Sequence, residues 1–231
     1  MNDLGRTAMV RPGSTHEAEE IQRQLRERVI TEGEPRPARV AGLDVAYDVD
    51  SDRVVGAVVV LDAHTLDVLD QATTHARAAF DYVPGLLAFR EAPPLLAALQ
   101  RLTVAPDLLV CDGYGLAHPR RFGLACHLGV LTDLPTIGVA KTPFTSSFTP
   151  PGPERGAQSD LVADGDVLGR VLRTRTGVKP VFVSVGHRIG LDAACRIVLG
   201  LCRSVRLPET TRAADRLCRQ ELTRTRTLPK V

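Results

Sequence analysis

Three β-branched, apolar stretches with short turns between them set the first constraint on this fold: Ala38 to Tyr47, Arg53 to Leu61, and Leu66 to about Ala79. The linking segments, DVDSD and DAHT, have room only for hairpins, so the three strands must form an antiparallel meander. The rhythm then changes. Leu86 to Leu102 has helical spacing, with Pro93 and Pro94 predicted to kink or restart it. Pro106 to Cys111 reads as a buried strand, Pro119 to Leu131 as a helix with proline in its first turn, and Pro135 to Val139 as another strand. Strand and helix alternating after a meander predict an α/β mixed sheet flanked by helices.

That order is the one found in a ribonuclease H-like sheet, an antiparallel three-strand meander plus parallel strands, in which the first and fourth strands lie side by side. The remaining segments fit around it. Thr15 to Ile30 is predicted as an amphipathic packing helix with Ala18, Ile21, Leu25 and Val29 on one face and a Ser14 or Thr15 cap. Residues 142–160, rich in Pro, Ser, Thr and Gly, read as a mobile surface loop. Asp166 to Arg173 and Lys179 to Val185 form a further hairpin, and helices at about 191–202 and 208–222 close the fold ahead of a basic, fraying tail at 223–231. No internal repeat is present, and 231 residues suit one domain spanning 1–231.

Composition narrows the class. No apolar run is long enough to span a bilayer, and the polar start MNDLGRTAMVRPGSTHEAEE lacks the apolar centre of a secretory signal, so a cytoplasmic protein without a membrane partner is expected. The five cysteines are odd in number and include no CxxC pair, which predicts buried thiols rather than a disulfide framework or zinc site. A net charge of +2 does not by itself announce a nucleic-acid binder. From Arg203 onward, however, basic residues outnumber acidic ones, a local excess that suits either phosphates or a solvated tail.

Against this background the acids stand out. Asp44 interrupts ARVAGLDVAYD in the first strand, Glu91 lies in the helix after the meander, and Asp112 ends PDLLVCDG in the fourth strand. A buried carboxylate without a partner costs several kcal/mol (~3–5), so acids converging at strand ends imply a bound divalent cation. Hard cations take oxygen ligands, and no HxH or HExxH arrangement offers a zinc alternative. Lys141, ending TIGVAK, is a fixed positive charge suited to a phosphate or to orienting water, or is simply an exposed strand-end lysine. Asp215 sits on the last helix among Arg212, Arg216 and Arg219, where an intrahelical ion pair is the competing reading. His187 reads as structural.

Taken together, AGLDVAYD, YVPGLLAFRE (Tyr82 to Glu91), VCDGYGLAHPRRFGLACHLGV, TIGVAK and KPVFVSVGHRIGL resemble the endonuclease V family, the deoxyinosine-specific nucleases, over about Val40 to Asp215. The resemblance implies that Asp44, Glu91 and Asp112 hold Mg²⁺, or Mn²⁺ as a substitute, with Lys141 and Asp215 completing the catalytic set. It implies that Tyr82 and Pro84 belong to a strand-separating wedge, that Gly85, Leu87 and Gly113 line the pocket for an extruded base, and that His118 touches phosphate or caps the next helix. Two positions depart from the family pattern: Asp81 stands where a proline opens the wedge, and Tyr114 where an amide is more usual.

The activity so implied is a nick at the second phosphodiester 3′ to deoxyinosine in DNA, by a monomer, leaving 3′-hydroxyl and 5′-phosphate ends. The alternatives are an inosine-specific endoribonuclease acting on inosine-containing RNA through the same site, and a non-catalytic nucleic-acid-binding module of the same fold.

Overall fold

A computed structural model describes residues 11–144 and 146–227 of the chain. The meander forms as the hairpin spacing predicts: β1 (Arg39–Tyr47), β2 (Arg53–Asp62) and β3 (Val68–Arg77) pair antiparallel in sequence order. Ahead of them lies helix α1 (Thr15–Arg26), capped by the Ser14 side chain accepting from the Glu17 N–H at 3.2 Å. After them come α2 (Ala88–Leu99), β4 (Leu108–Asp112), α3 (Leu124–Thr132) and β5 (Thr136–Ala140). A short β6 (Ser147–Phe148), then β7 (Gln158–Ala163), β8 (Asp166–Leu172), β9 (Val181–His187), α4 (Leu191–Leu201) and α5 (Glu209–Thr227) complete the order. Among the described residues the strands make one nine-stranded sheet in the order β3-β2-β1-β4-β5-β9-β8-β7-β6, the ribonuclease H-like mixed sheet read from the sequence.

Period-two alternation divides the core between the two faces of the sheet. Ala41 and Leu43 of β1 and Leu109 and Cys111 of β4 pack with α2 and α3. Val40, Leu108 and Val110 face the other way, into a cluster that includes Ala194 and Val198 of α4. On that second face α5 crosses β1 and β2, its Ala214 and Cys218 meeting Val59, Leu61, Val55 and Ala57. One glycine sets that crossing: a Cβ on Gly42 would stand 2.0 Å from the Thr210 carbonyl oxygen, so α5 reaches the strand only because position 42 has no side chain.

Several local expectations change. Pro93 and Pro94 do not restart α2; both lie inside one helix, seated on β2 where a Cβ at Gly56 would be 2.9 Å from Pro94, and the Pro94 carbonyl accepts from the Thr74 hydroxyl at 2.6 Å. The helix expected from Pro119 starts only at Leu124, because Arg121 adopts a left-handed conformation, φ 55°, that ends any helix before it. Most of the predicted loop 142–160 is tied down instead: β6 and the start of β7 lie in the sheet, and the Arg173 guanidinium donates to the carbonyls of Pro151, Gly152 and Val178. Helix α1 ends at Arg26, short of Val29, and its fully buried positions are Ala18 and Gln22. Helix α5 continues through Thr227, where the tail was expected to fray. Residues 228–231 and the polar start at 1–10 lie outside the described residues. All five cysteines are buried free thiols, as expected.

Candidate active site

The parallel pairing of β1 with β4 runs from Val40 opposite Leu108 to Leu43 opposite Cys111. One residue further along both strands come Asp44 and Asp112, so the register itself delivers two acids to neighbouring strand ends. By alternation both leave the sheet on the face that α5 covers. The Asp44 carboxyl is pushed well above the ordinary carboxylate range, first by burial and then by the negative charge of Asp112. Its one fixed donor is the Val45 N–H, at 2.9 Å. Asp215, on α5, adds a further repulsion to Asp44.

Lys141, one residue past β5, answers this charge. Its ammonium pairs with the Asp112 carboxylate, half exposed where the aspartate is mostly covered. Burial alone would lower its pKa, but the bond to Asp112 and the charges of Asp112, Asp44 and Asp215 outweigh that and raise it. Asp215 satisfies both sequence readings: it accepts from Arg219 Nε at 2.6 Å within the helix and still acts on Asp44 and Lys141.

Glu91 reaches the same strand ends from α2 on the other side. Burial pushes its carboxyl up to about 7, against the Tyr47 hydroxyl that donates to it at 2.7 Å, and Asp112 adds repulsion. Tyr47 in turn lies under the Arg90 guanidinium, 4.9 Å from the ring centroid. The donor set is therefore all oxygen, and a single ammonium compensates the acids at their centre. That chemistry fits a hard divalent cation such as Mg²⁺ or Mn²⁺, with Asp44, Glu91 and Asp112 as the residues to hold it. As the side chains stand, no three acids among the described residues close on one point.

A cavity of about 530 Å³ opens beside these acids. Glu91, Asp112 and Lys141 line one side; Tyr82, Gly85, Leu87, Gly113 and His118 line much of the rest. Residues named from three separate segments of sequence thus meet at one hollow. Asp44, Asp215 and Pro84 are not among its lining residues. Tyr82 is 68% exposed at the rim, and a Cβ on Gly113 would meet nothing within 4 Å, so that glycine leaves open the space a ligand would need.

His118 is neither exposed nor a cap for α3. Its Nδ1 accepts from the Arg120 N–H at 3.2 Å, which leaves Nε2 protonated and donating to the Gly85 carbonyl at 3.0 Å. Burial lowers its pKa to about 4, so it is neutral in the folded protein. His187 is structural as expected: Nδ1 accepts from the Ile30 N–H and Nε2 faces Asp133.

Sequence reasoning missed Tyr47, Gln22 and Phe144. A tyrosine in a strand and a lone phenylalanine in a polar loop carry no signal of their own. Yet Phe144 lines the cavity and sits edge-on to Tyr114, ring centroids 5.3 Å apart. Gln22 falls on the face of α1 where the apolar pattern leads one to expect only packing.

Comparison with known proteins bears on this arrangement. The sequence profile of Endonuclease V matches residues 23–216. A Streptomyces avermitilis protein named Endonuclease V is 60% identical over 215 residues, covering 91% of this chain and 93% of its own length. The crystal structure of Endonuclease V from S. avermitilis superposes with a TM-score of 0.91 at 59% identity, covering 94% of this chain and 96% of that one. Ciona intestinalis Endonuclease V, solved in complex with a 24mer DNA containing an inosine followed by a ribo-adenosine, matches with a TM-score of 0.79 at 30% identity, covering 91% of this chain and 98% of that one.

Proposed function

Because the chain belongs to the endonuclease V family, we propose that it is a Mg²⁺-dependent DNA-repair endonuclease that recognises deoxyinosine, the product of adenine deamination, and nicks the same strand. The cut falls at the second phosphodiester 3′ to the lesion. One observation carries the reading: the acids of α2 and β4 and the lysine just past β5 line one cavity together with Tyr82, and the β1 acid stands beside the β4 acid. A hollow roomy enough for a base, with charged groups on part of its lining, suits an enzyme that reads one nucleotide and cuts the backbone near it.

In this reading Tyr82 fills the gap left when the altered base leaves the duplex, offsetting part of the unstacking cost, a few kcal/mol (~2–4). Gly85, Leu87 and Gly113 take the extruded base, with main-chain groups telling the carbonyl and ring N–H of hypoxanthine from the amine and bare nitrogen of adenine. Lys141 holds the scissile phosphate, exchanging its contact with Asp112 for one with a phosphate oxygen. The chemistry supplied by Mg²⁺ or Mn²⁺, when held by Asp44, Glu91 and Asp112, is acidification of the attacking water and neutralisation of charge on phosphorus. A water oxygen bonds to phosphorus, the bond from phosphorus to the 3′ oxygen breaks, and that oxygen takes a proton, giving a 3′-hydroxyl and a 5′-phosphate. All these groups come from one chain, which supports action as a monomer.

The test is direct: incubate a duplex carrying one deoxyinosine with the protein and Mg²⁺ or with a chelator, and map the product ends. A single nick at the stated bond, lost with chelator, is expected; cleavage that survives chelation, or none with Mg²⁺, rejects the reading. The 24mer DNA held by the Ciona protein carries a ribo-adenosine after its inosine, which favours one second reading, an inosine-specific endoribonuclease. Matched oligonucleotides differing by one 2′-hydroxyl next to the cut separate the two.

A further inference from the structure

Helix α1 buries a glutamine where an apolar side chain would pack. Gln22 is fully buried, and its neighbour on the same face, one turn earlier, is Ala18. A buried amide is tolerated only when it is hydrogen-bonded, and Gln22 spends its groups on remote segments. Its Nε2 donates to the Gly85 carbonyl at 3.0 Å and to the Phe122 carbonyl at 3.1 Å. Its Oε1 accepts from Arg120 Nε at 2.5 Å.

Arg120 closes the network. Its Nη2 donates to the same Gly85 carbonyl at 2.8 Å, and its Nη1 reaches Glu19 on α1 at 3.2 Å. With the His118 contact, three side chains from two elements converge on one main-chain oxygen. That oxygen belongs to a residue at φ +83°, a conformation open to glycine, and a Cβ there would stand 2.7 Å from Arg120 Nη2. Packing α1 against α3 and the start of α2 needs none of this polarity; a leucine at position 22 would bury as well.

We propose that Gln22 and Arg120 are positioning residues for the loop 82–87: by gripping the Gly85 carbonyl they hold the turn so that Tyr82 and Leu87 face the cavity, which Gln22 also lines. The polar groups of Gln22 are engaged by Gly85, Phe122 and Arg120, so the grip acts through the loop, and its bearing on lesion recognition rests on the function proposed above. The bidentate reach of arginine matters here, since a lysine can meet Gly85 or Glu19 but not both along with Gln22.

Two variants of the full chain, Gln22→Leu and Arg120→Lys, test it by two readouts. Hydrogen exchange needs no substrate: amides of 82–87 are expected to exchange about tenfold faster, with those of β1 and β4 unchanged. On a deoxyinosine duplex KM is expected to rise about tenfold with kcat within twofold, and adding Tyr82→Ala to either variant should cost less than the two losses multiplied. Unchanged exchange at 82–87 overturns the proposal, as does a loss confined to kcat. Should Gln22→Leu fail to fold, Arg120→Lys carries the same readings. If the wild-type protein does not nick deoxyinosine, the proposed function falls while the exchange result still decides the role of Gln22 and Arg120.

Discussion

Asp44 is held where its charge is least welcome: buried, beside Asp112, with a single backbone donor. A residue kept in that position opposes folding, so removing its charge should strengthen the metal-free protein while destroying its activity. Asp44→Asn is expected to raise the melting temperature in chelator by a few degrees (~2–5 °C, about 1 kcal/mol) and to abolish nicking. A lower melting temperature would show that the carboxylate serves the fold. Asp112→Ala should likewise abolish cleavage, and nicking at the wild-type rate by either variant would remove these acids from the mechanism.

At the scale of elements, the site depends on how closely α5 approaches β1 and on the shape of the loop after β3. Gly42→Ala would drive a methyl group into the Thr210 carbonyl, and the backbone there has no free rotamer to yield. A loss of at least about 2 kcal/mol in urea denaturation is expected, together with a fall in cleavage as Asp215 moves away from Asp44. In the loop, Tyr82→Ala should weaken binding of deoxyinosine more in duplex than in single-stranded DNA; equal losses would reject its role as a wedge. This is also the scale at which the sequence was readable. The meander followed from turn length and alternation, which are local and periodic, and the β1–β4 neighbourhood from the likeness of the element order to a ribonuclease H-like sheet. Gln22 and Tyr47 were opaque because their partners, Gly85 and Glu91, lie 63 and 44 residues away, and no local pattern announces a hydrogen bond across that distance. Pro119 misled for a related reason: it satisfies the rule for a helix start, but Arg121 turns left-handed to reach the Ala163 carbonyl and Asp164.

For the whole molecule, burial of titratable groups sets the response to pH and to thiol reagents. His118 and His127 are both buried and neutral, each with its pKa lowered by burial from 6.5 to about 4. In the unfolded chain they take up protons below about 6.5, so these two histidines withdraw stability as pH falls from 6.5 to 4 and leave it unchanged above 6.5, while the raised pKa values of Asp44 and Glu91 act in the opposite direction. The histidine contribution is at most about 3 kcal/mol for each; the difference in urea midpoint between wild type and His127→Leu, narrowing or changing sign as pH falls through that range, measures it. The five thiols should be silent to a disulfide reagent in the native protein, reacting about 100-fold faster once it is unfolded. A thiol that reacts at once would contradict the packing described.

The pairing that sets Asp44 beside Asp112 has an outcome in time as well as in space. Parallel neighbours so far apart along the chain, overlaid by a helix near its end, form by long-range closure, which comes late and slowly in folding. A half-folded copy therefore holds the acids apart, and the paired acids exist only once β1, β4 and α5 have packed together.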